Sequence, residues 1–172
     1  MKLIALLLLP IVGFGQIKLD NKLSLLDNKV EISLPKELLK MSDTMWSYKY
    51  HRLPRPALVM TDENGEINLL LNLTNQAATE SQLSEYADLR VANLKKTRTD
   101  IKILAEGVKE VNGKKVGFIK FSSVAVDQNI FNYYFFTVLD GKIIFFTFNC
   151  IEKLQKTWES VAEDILNSLK VK

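Results

Sequence analysis

The chain holds one cysteine, one histidine, seven glycines and four prolines in 172 residues. Each scarcity removes a class of chemistry. A single cysteine, Cys150, leaves no internal disulfide. With His51, the sole histidine, it falls short of the three or four ligands that zinc takes. Seven glycines form no phosphate-cradling loop and no Gly-x-Ser-x-Gly elbow. The charges nearly balance, 23 Lys and Arg against 20 Asp and Glu, so no basic nucleic-acid footprint stands out, although the pI is near 8.9. The acidic residues are scattered over helix surfaces and turns. "DENGE" (Asp62–Glu66) carries oxygen ligands without EF-hand spacing and reads as a turn. Asn72-Leu73-Thr74 fits a glycosylation pattern inside a predicted strand and is read as chance. No catalytic residue, metal ligand or cofactor site is assigned.

Long apolar runs are also scarce, with one exception at the start. "MKLIALLLLPIVGFG" has Lys2, an apolar run from Leu3 to Val12, then Gly13-Phe14-Gly15. This is the order of a secretory leader over residues 1–15, cleaved before Gln16. The run is about half the ~20 residues of a membrane-spanning helix, and no cysteine at its end offers a lipid anchor. The expectation is an exported protein, periplasmic or secreted, with residues 16–172 as one domain and no membrane anchor after cleavage. Without a disulfide, its stability rests on its core.

The remainder alternates between strand and helix periods. "LSLLDNKVEISLP" reads as two short strands about Asp27-Asn28, ended by Pro35. Residues 36–48 read as short helical turns. "ALVMT" and "EINLLLNLT" form a hairpin, with Asn64-Gly65 expected to take the positive φ angles of a tight turn. From Ser81 to Thr97, Leu83, Tyr86, Ala87, Arg90, Val91 and Leu94 share one helical stripe. Thr79 and Gln82 have capping-box spacing, and Arg90 is expected to snorkel at the stripe's margin. Four strands follow, turned at Asn112-Gly113 and Asp140-Gly141. Residues 152–170 read as a closing helix with Leu154, Trp158, Val161, Ile165 and Leu169 inward, and Asn149 and Glu152 have capping-box spacing at its start.

"NIFNYYFFTVL" decides the architecture. Phe131, Tyr133, Phe135 and Leu139 lie on one side of this strand, and Ile130, Tyr134, Phe136 and Val138 on the other. A strand apolar on both sides is covered on both sides. The fold class is therefore α+β, an α/β/α sandwich around a mostly antiparallel twisted sheet. Ile144, Phe146, Phe148 and Cys150 share one strand face, so Cys150 is expected in the core as a small hydrophobe rather than as a nucleophile.

The opening "VEISLPKEL" and the closing "GKIIFFTFNCIEKLQKTWESVAEDILNSL", with the element order between them, resemble the PsbP-like superfamily over roughly residues 22–170. That superfamily includes photosystem PsbP proteins, bacterial DcrB-like proteins and the Ran-binding Mog protein. The resemblance implies the sandwich fold and a non-enzymatic binding, assembly or chaperone role. No PsbP metal-site or docking motif is matched here, so no site residue is carried over.

"KYHRLPRP" reads either as a recognition element or as a Pro-stiffened connection with solvated charges. Pro54 and Pro56 hold it extended. Tyr48, Lys49, Tyr50, His51, Arg52 and Arg55 are the candidate contacts for a protein partner or an acidic ligand. Arg55, between the prolines, is expected to be exposed, dispensable for folding and the foremost contact. The leading functional expectation is an exported protein-binding module. A small-molecule or lipid carrier is the alternative and needs an apolar pocket of at least ~300 Å³ between sheet and helices. An enzyme of unnamed type comes third.

Overall fold

A computed structural model describes residues 17–50, 54–125 and 128–172. The leader expectation falls on residues 1–15 and its cleavage on Gln16, outside the described residues.

The strands β1 (Asn21–Leu25) and β2 (Val30–Leu34) form a hairpin whose turn places Leu26, Asp27 and Asn28 at positive φ. A two-residue strand, β3 (Leu39–Lys40), precedes helix α1 (Asp43–Tyr50). Next come β4 (Leu58–Thr61) and β5 (Ile67–Ala77), then a 3-10 turn at Glu80–Gln82 leading into α2 (Leu83–Thr97). The hairpins β6 (Lys102–Val111) with β7 (Lys114–Val124), and β8 (Asn129–Leu139) with β9 (Lys142–Ile151), follow. Helix α3 (Glu152–Asn167) and β10 (Lys170–Val171) close the chain.

Seven strands form one antiparallel sheet in the order β3-β4-β5-β9-β8-β7-β6. The hairpin β1-β2 stands apart from it and pairs with β10 in a second, three-stranded sheet. Both faces of the large sheet are covered, as the doubly apolar β8 requires. On one face, Phe131, Tyr133, Phe135, Phe146, Phe148 and Cys150 pack with Trp158, Val161 and Ile165 of α3 and with Val30, Ile32 and Leu34 of β2. On the other, Ile119, Phe121, Phe136, Ile143 and Phe145 pack under Leu83, Tyr86, Ala87 and Val91 of α2. A smaller cluster, Met41, Trp46 and Val59, seats α1 on that same face. Gly117 makes room for Phe136, because a Cβ there would fall 2.2 Å from the ring.

The hairpin turns match expectation: Asn112 and Gly113, and Asp140 and Gly141, all have positive φ. The Thr79–Gln82 box also forms in its backward half, Gln82 Oε1 accepting from the Thr79 backbone N–H at 2.9 Å.

Four local readings are corrected. Residues 36–48 contain β3 before any helix, and α1 runs on to Tyr50, started by Ser42, whose Oγ accepts from the Met45 N–H at 3.1 Å. In the β4–β5 loop only Gly65, and not Asn64, takes positive φ. That loop is organised by Asp62, whose carboxylate accepts from the N–H groups of Asn64 and Ile67. The Asn149–Glu152 box does not form: Asn149 is still in β9, and Glu152 accepts instead from Asn129 Nδ2 at 3.0 Å. The closing helix stops at Asn167, and Leu169 is buried beyond it as the chain turns into β10.

A candidate binding cleft

A row of polar side chains crosses the α1/α2 face at one end of the sheet. Thr61 on β4, Asn68 on β5, Asn149 on β9 and Asn132 on β8 are successive cross-strand partners. Directly paired residues project to the same side. Thr61, Asn68 and Asn132 are buried, while Asn149 is half-buried. Polar groups in such places require partners, and the row supplies them. Thr61 Oγ1 donates to Asn68 Oδ1 at 2.8 Å, and Asn68 Nδ2 donates to Asn149 Oδ1 at 3.0 Å and to the Gly65 carbonyl at 3.2 Å. Asn132 Nδ2 donates to Ser123 Oγ at 3.0 Å. The chain from Thr61 has a direction. Each acceptor is used by the residue before it, so among the described residues the Asn149 Nδ2 amide is left as the terminal donor.

That end of the row opens into a cleft of about 480 Å³, lined by Asn68, Asn149, Lys49, Tyr50, Gly65 and Gln128, among others. Lys49 Nζ donates to the same Gly65 carbonyl that Asn68 uses. Gly65 is required twice over. Its φ of +69° suits glycine, and a Cβ would lie 2.6 Å from Lys49 Nζ. Tyr50 packs at a tilt against the buried Trp46 with ring centroids 4.6 Å apart, and burial raises its phenol pKa, which keeps the hydroxyl a neutral donor. Glu66, at the rim, is tied to Lys153 at 2.9 Å. The cleft thus offers amide, ammonium and hydroxyl donors, and it suits a ligand rich in carbonyl or carboxylate acceptors.

The sequence candidates divide. Tyr48, Lys49 and Tyr50 lie on the last turn of α1 and not on an extended loop. Lys49 and Tyr50 line the cleft, and Tyr48 is 87% exposed beside them. Arg55 is not a free cation. It pairs with Asp43, donates to the Met41 carbonyl at 2.6 Å and lies 5.8 Å from the Trp46 ring. His51 and Arg52 lie outside the described residues. Reasoning from the sequence missed Thr61, Asn68, Asn132 and Asn149. The available signal was an asparagine set inside each of three largely apolar runs, residues 67–71, 130–136 and 143–151.

The opposite face holds a different polar group. Tyr133 Oη donates to Glu163 Oε2 at 2.7 Å, Lys109 pairs with the other carboxylate oxygen, and Lys120 lies 3.1 Å from Oε2. These contacts tie α3 to the sheet. Cys150 is fully buried, and burial, with Glu159 adding to it, pushes its thiol pKa up to about 12. Among the described residues, no three His, Cys, Asp or Glu side chains gather as a metal site, and no helix is long and apolar enough to cross a membrane.

No family profile matches the sequence, and no curated protein matches it. Solved structures do match its architecture. Cyanobacterial PsbP (CyanoP) from Synechocystis superposes with a TM-score of 0.61 at 15% identity, covering 97% of this chain and 99% of its own. The fold is PsbP-like. LpqN, described as involved in cell envelope biogenesis of Mycobacterium tuberculosis, matches at TM-score 0.58 and 11% identity over 83% of this chain and 82% of its own. A Pseudomonas aeruginosa protein of unknown function matches at 0.53 and 8% over 88% and 98%. At such identities the likeness concerns the backbone and leaves site chemistry to each chain. In this PsbP-like chain the cleft sits where α1, the β4–β5 loop and the ends of β8 and β9 meet.

Proposed function

We propose that the chain is an exported, non-enzymatic binding module that holds an acceptor-rich segment of another protein in the cleft beside Asn149. The observation that carries this reading is the directed hydrogen-bond row ending on Asn149, with Lys49 and Tyr50 beside it and Tyr48 exposed at the rim. An exposed tyrosine next to fixed donors is a common interface anchor. Among the described residues, the cleft supplies recognition groups and no activated nucleophile or poised acid–base pair. The space that a carrier would need between sheet and helices is filled by Phe131, Tyr133, Phe135, Phe146 and Phe148 under α3 and by Phe121 and Phe136 under α2. The leader-like residues 1–15 support export, as does the structural likeness to an envelope-biogenesis protein.

A photo-crosslinking residue at position 48, in cells expressing the full chain, tests the binding reading. A discrete adduct is expected, and Asn149→Leu should remove it. Crosslinking no stronger than from position 170, on β10, would refute the site. Mass spectrometry of the exported protein should find Gln16 at the N-terminus; Met1 on protein outside the cytoplasm would refute the leader.

A further inference from the structure

The α1/α2 face carries a second cleft, of about 450 Å³, lined by Gln76 near the end of β5 and by Tyr86, Leu89, Arg90, Asn93 and Lys96 of α2. The helical positions are three or four apart and so form one stripe. Two of the lining residues are cations, and no acid among the described residues lines the cleft.

Arg90 is the unusual member. Instead of carrying all its nitrogens out to water, it keeps Nε buried and without an acceptor among the described residues. Its guanidinium carbon lies 5.2 Å from the Phe145 ring centroid. The two other arginines among the described residues, Arg55 and Arg98, are paired with Asp43 and Asp100. A desolvated cationic donor with no acceptor is costly to maintain. With Nε buried and an aromatic ring against its flat side, the guanidinium has its two terminal nitrogens left for an in-plane acceptor.

We infer that this cleft is a carboxylate-binding site. Arg90 presents the planar fork that matches two carboxylate oxygens, Lys96 adds a second positive charge, and Gln76 and Asn93 supply neutral hydrogen-bonding groups. The carboxylate comes either from a free small acid or from an Asp or Glu side chain of a partner. The site is separate from the Asn149 cleft, and its test does not depend on that cleft.

The test is a titration of ¹⁵N-labelled residues 16–172, which hold every element described, followed by NMR. Sodium succinate is one arm, a short glutamate-rich peptide the second, and sodium chloride at matched ionic strength the control. The Arg90 Nε–H resonance and the amides of Leu89 and Asn93 should move saturably with carboxylate and not with chloride. Response to succinate identifies a free acid as sufficient, and response to the peptide alone identifies a partner's side chain. Arg90→Lys keeps the charge but loses the fork, and should bind about tenfold more weakly or worse. If that variant does not fold, the wild-type Nε–H titration and the weaker binding expected of Lys96→Gln decide the question. Absence of saturable movement in both arms, unchanged affinity in a folded Arg90→Lys, or tighter binding of inorganic phosphate than of succinate would overturn the assignment.

Discussion

Asn68 and Asn149 face each other across β5 and β9 and share a side-chain hydrogen bond of 3.0 Å. Their roles differ. Asn68 is 3% exposed and bonds Thr61, Gly65 and Asn149 together, whereas Asn149 receives one bond and faces the cleft. Asn68→Leu should therefore cost about 1–3 kcal/mol, because it takes the acceptor from the buried Thr61 hydroxyl and removes the bonds to Asn149 and the Gly65 carbonyl. Asn149→Leu should cost less than Asn68→Leu and still abolish partner capture. Urea denaturation orders the two; the reverse order would place the structural centre of the row at Asn149.

The Tyr133–Glu163 contact predicts stability that falls at both ends of the pH scale. Burial alone would raise the Glu163 pKa, but hydrogen bonds from Lys109, Tyr133 and Lys120 outweigh it and hold the carboxyl below its ordinary value. Its contribution is present above the ordinary glutamate pKa of about 4.3 and is lost as pH falls through the lower folded value. Tyr133 is shifted upward, chiefly by burial and then by its bond to Glu163. Its contribution is present below the ordinary phenol pKa of about 10 and is lost as pH rises beyond it. Urea midpoints between pH 3 and 11 should show both limbs. Glu163→Gln should flatten the acid limb without removing it, because Asp100 is held at about 2 by Arg98 and the Val124 N–H and titrates separately. Tyr133→Phe should lower mid-range stability by about 1–2 kcal/mol and flatten the alkaline limb. An unchanged acid limb in Glu163→Gln would show that this carboxylate does not couple α3 to the sheet.

Large apolar periodicities were legible in the sequence, and the polar exceptions within them were not. β8 reads as apolar on both sides because eight of its eleven residues are apolar or aromatic, and that majority correctly implies a covered sheet. The same majority hides Asn132. It lies beside Asn149 by the register of the β8–β9 hairpin, which the Asp140-Gly141 turn fixes. Asn68 joins them only through the pairing of β5 with β9, which no local pattern supplies. Arg55 shows the converse failure. Its prolines indicate a stiff loop, but its ion partner Asp43 starts a helix twelve residues earlier, and only the tertiary fold brings them together. The Asn149–Glu152 spacing failed for a third reason. The last strand continues to Ile151, so the helix begins after the residue that would have capped it.

Cys150 should behave as core. It is fully buried among the side chains under α3, with a thiol pKa pushed up to about 12. Folded protein should react with a thiol reagent far more slowly than protein in denaturant. Cys150→Ala should cost about 1 kcal/mol or somewhat more through a small cavity and leave partner capture intact. Fast labelling of the folded chain would refute the assignment.

Tyr48 and Arg55 should separate recognition from stability. Tyr48 is 87% exposed, so Tyr48→Ala should stay within about 0.5 kcal/mol of wild type while weakening capture. Arg55 is bonded to Asp43 and the Met41 carbonyl and lies against Trp46, so Arg55→Ala should remove about 1–2 kcal/mol and loosen α1. Faster hydrogen exchange at the Trp46 and Tyr50 amides, with greater solvent quenching of Trp46 fluorescence, would report the loosening. Any loss of capture in Arg55→Ala would then follow from a displaced Lys49 and Tyr50, and its affinity should recover when urea-free, low-temperature conditions re-seat the helix. If Arg55→Ala changes neither exchange nor stability yet still weakens capture, the internal contacts are idle and the guanidinium itself touches the partner, as the sequence had implied.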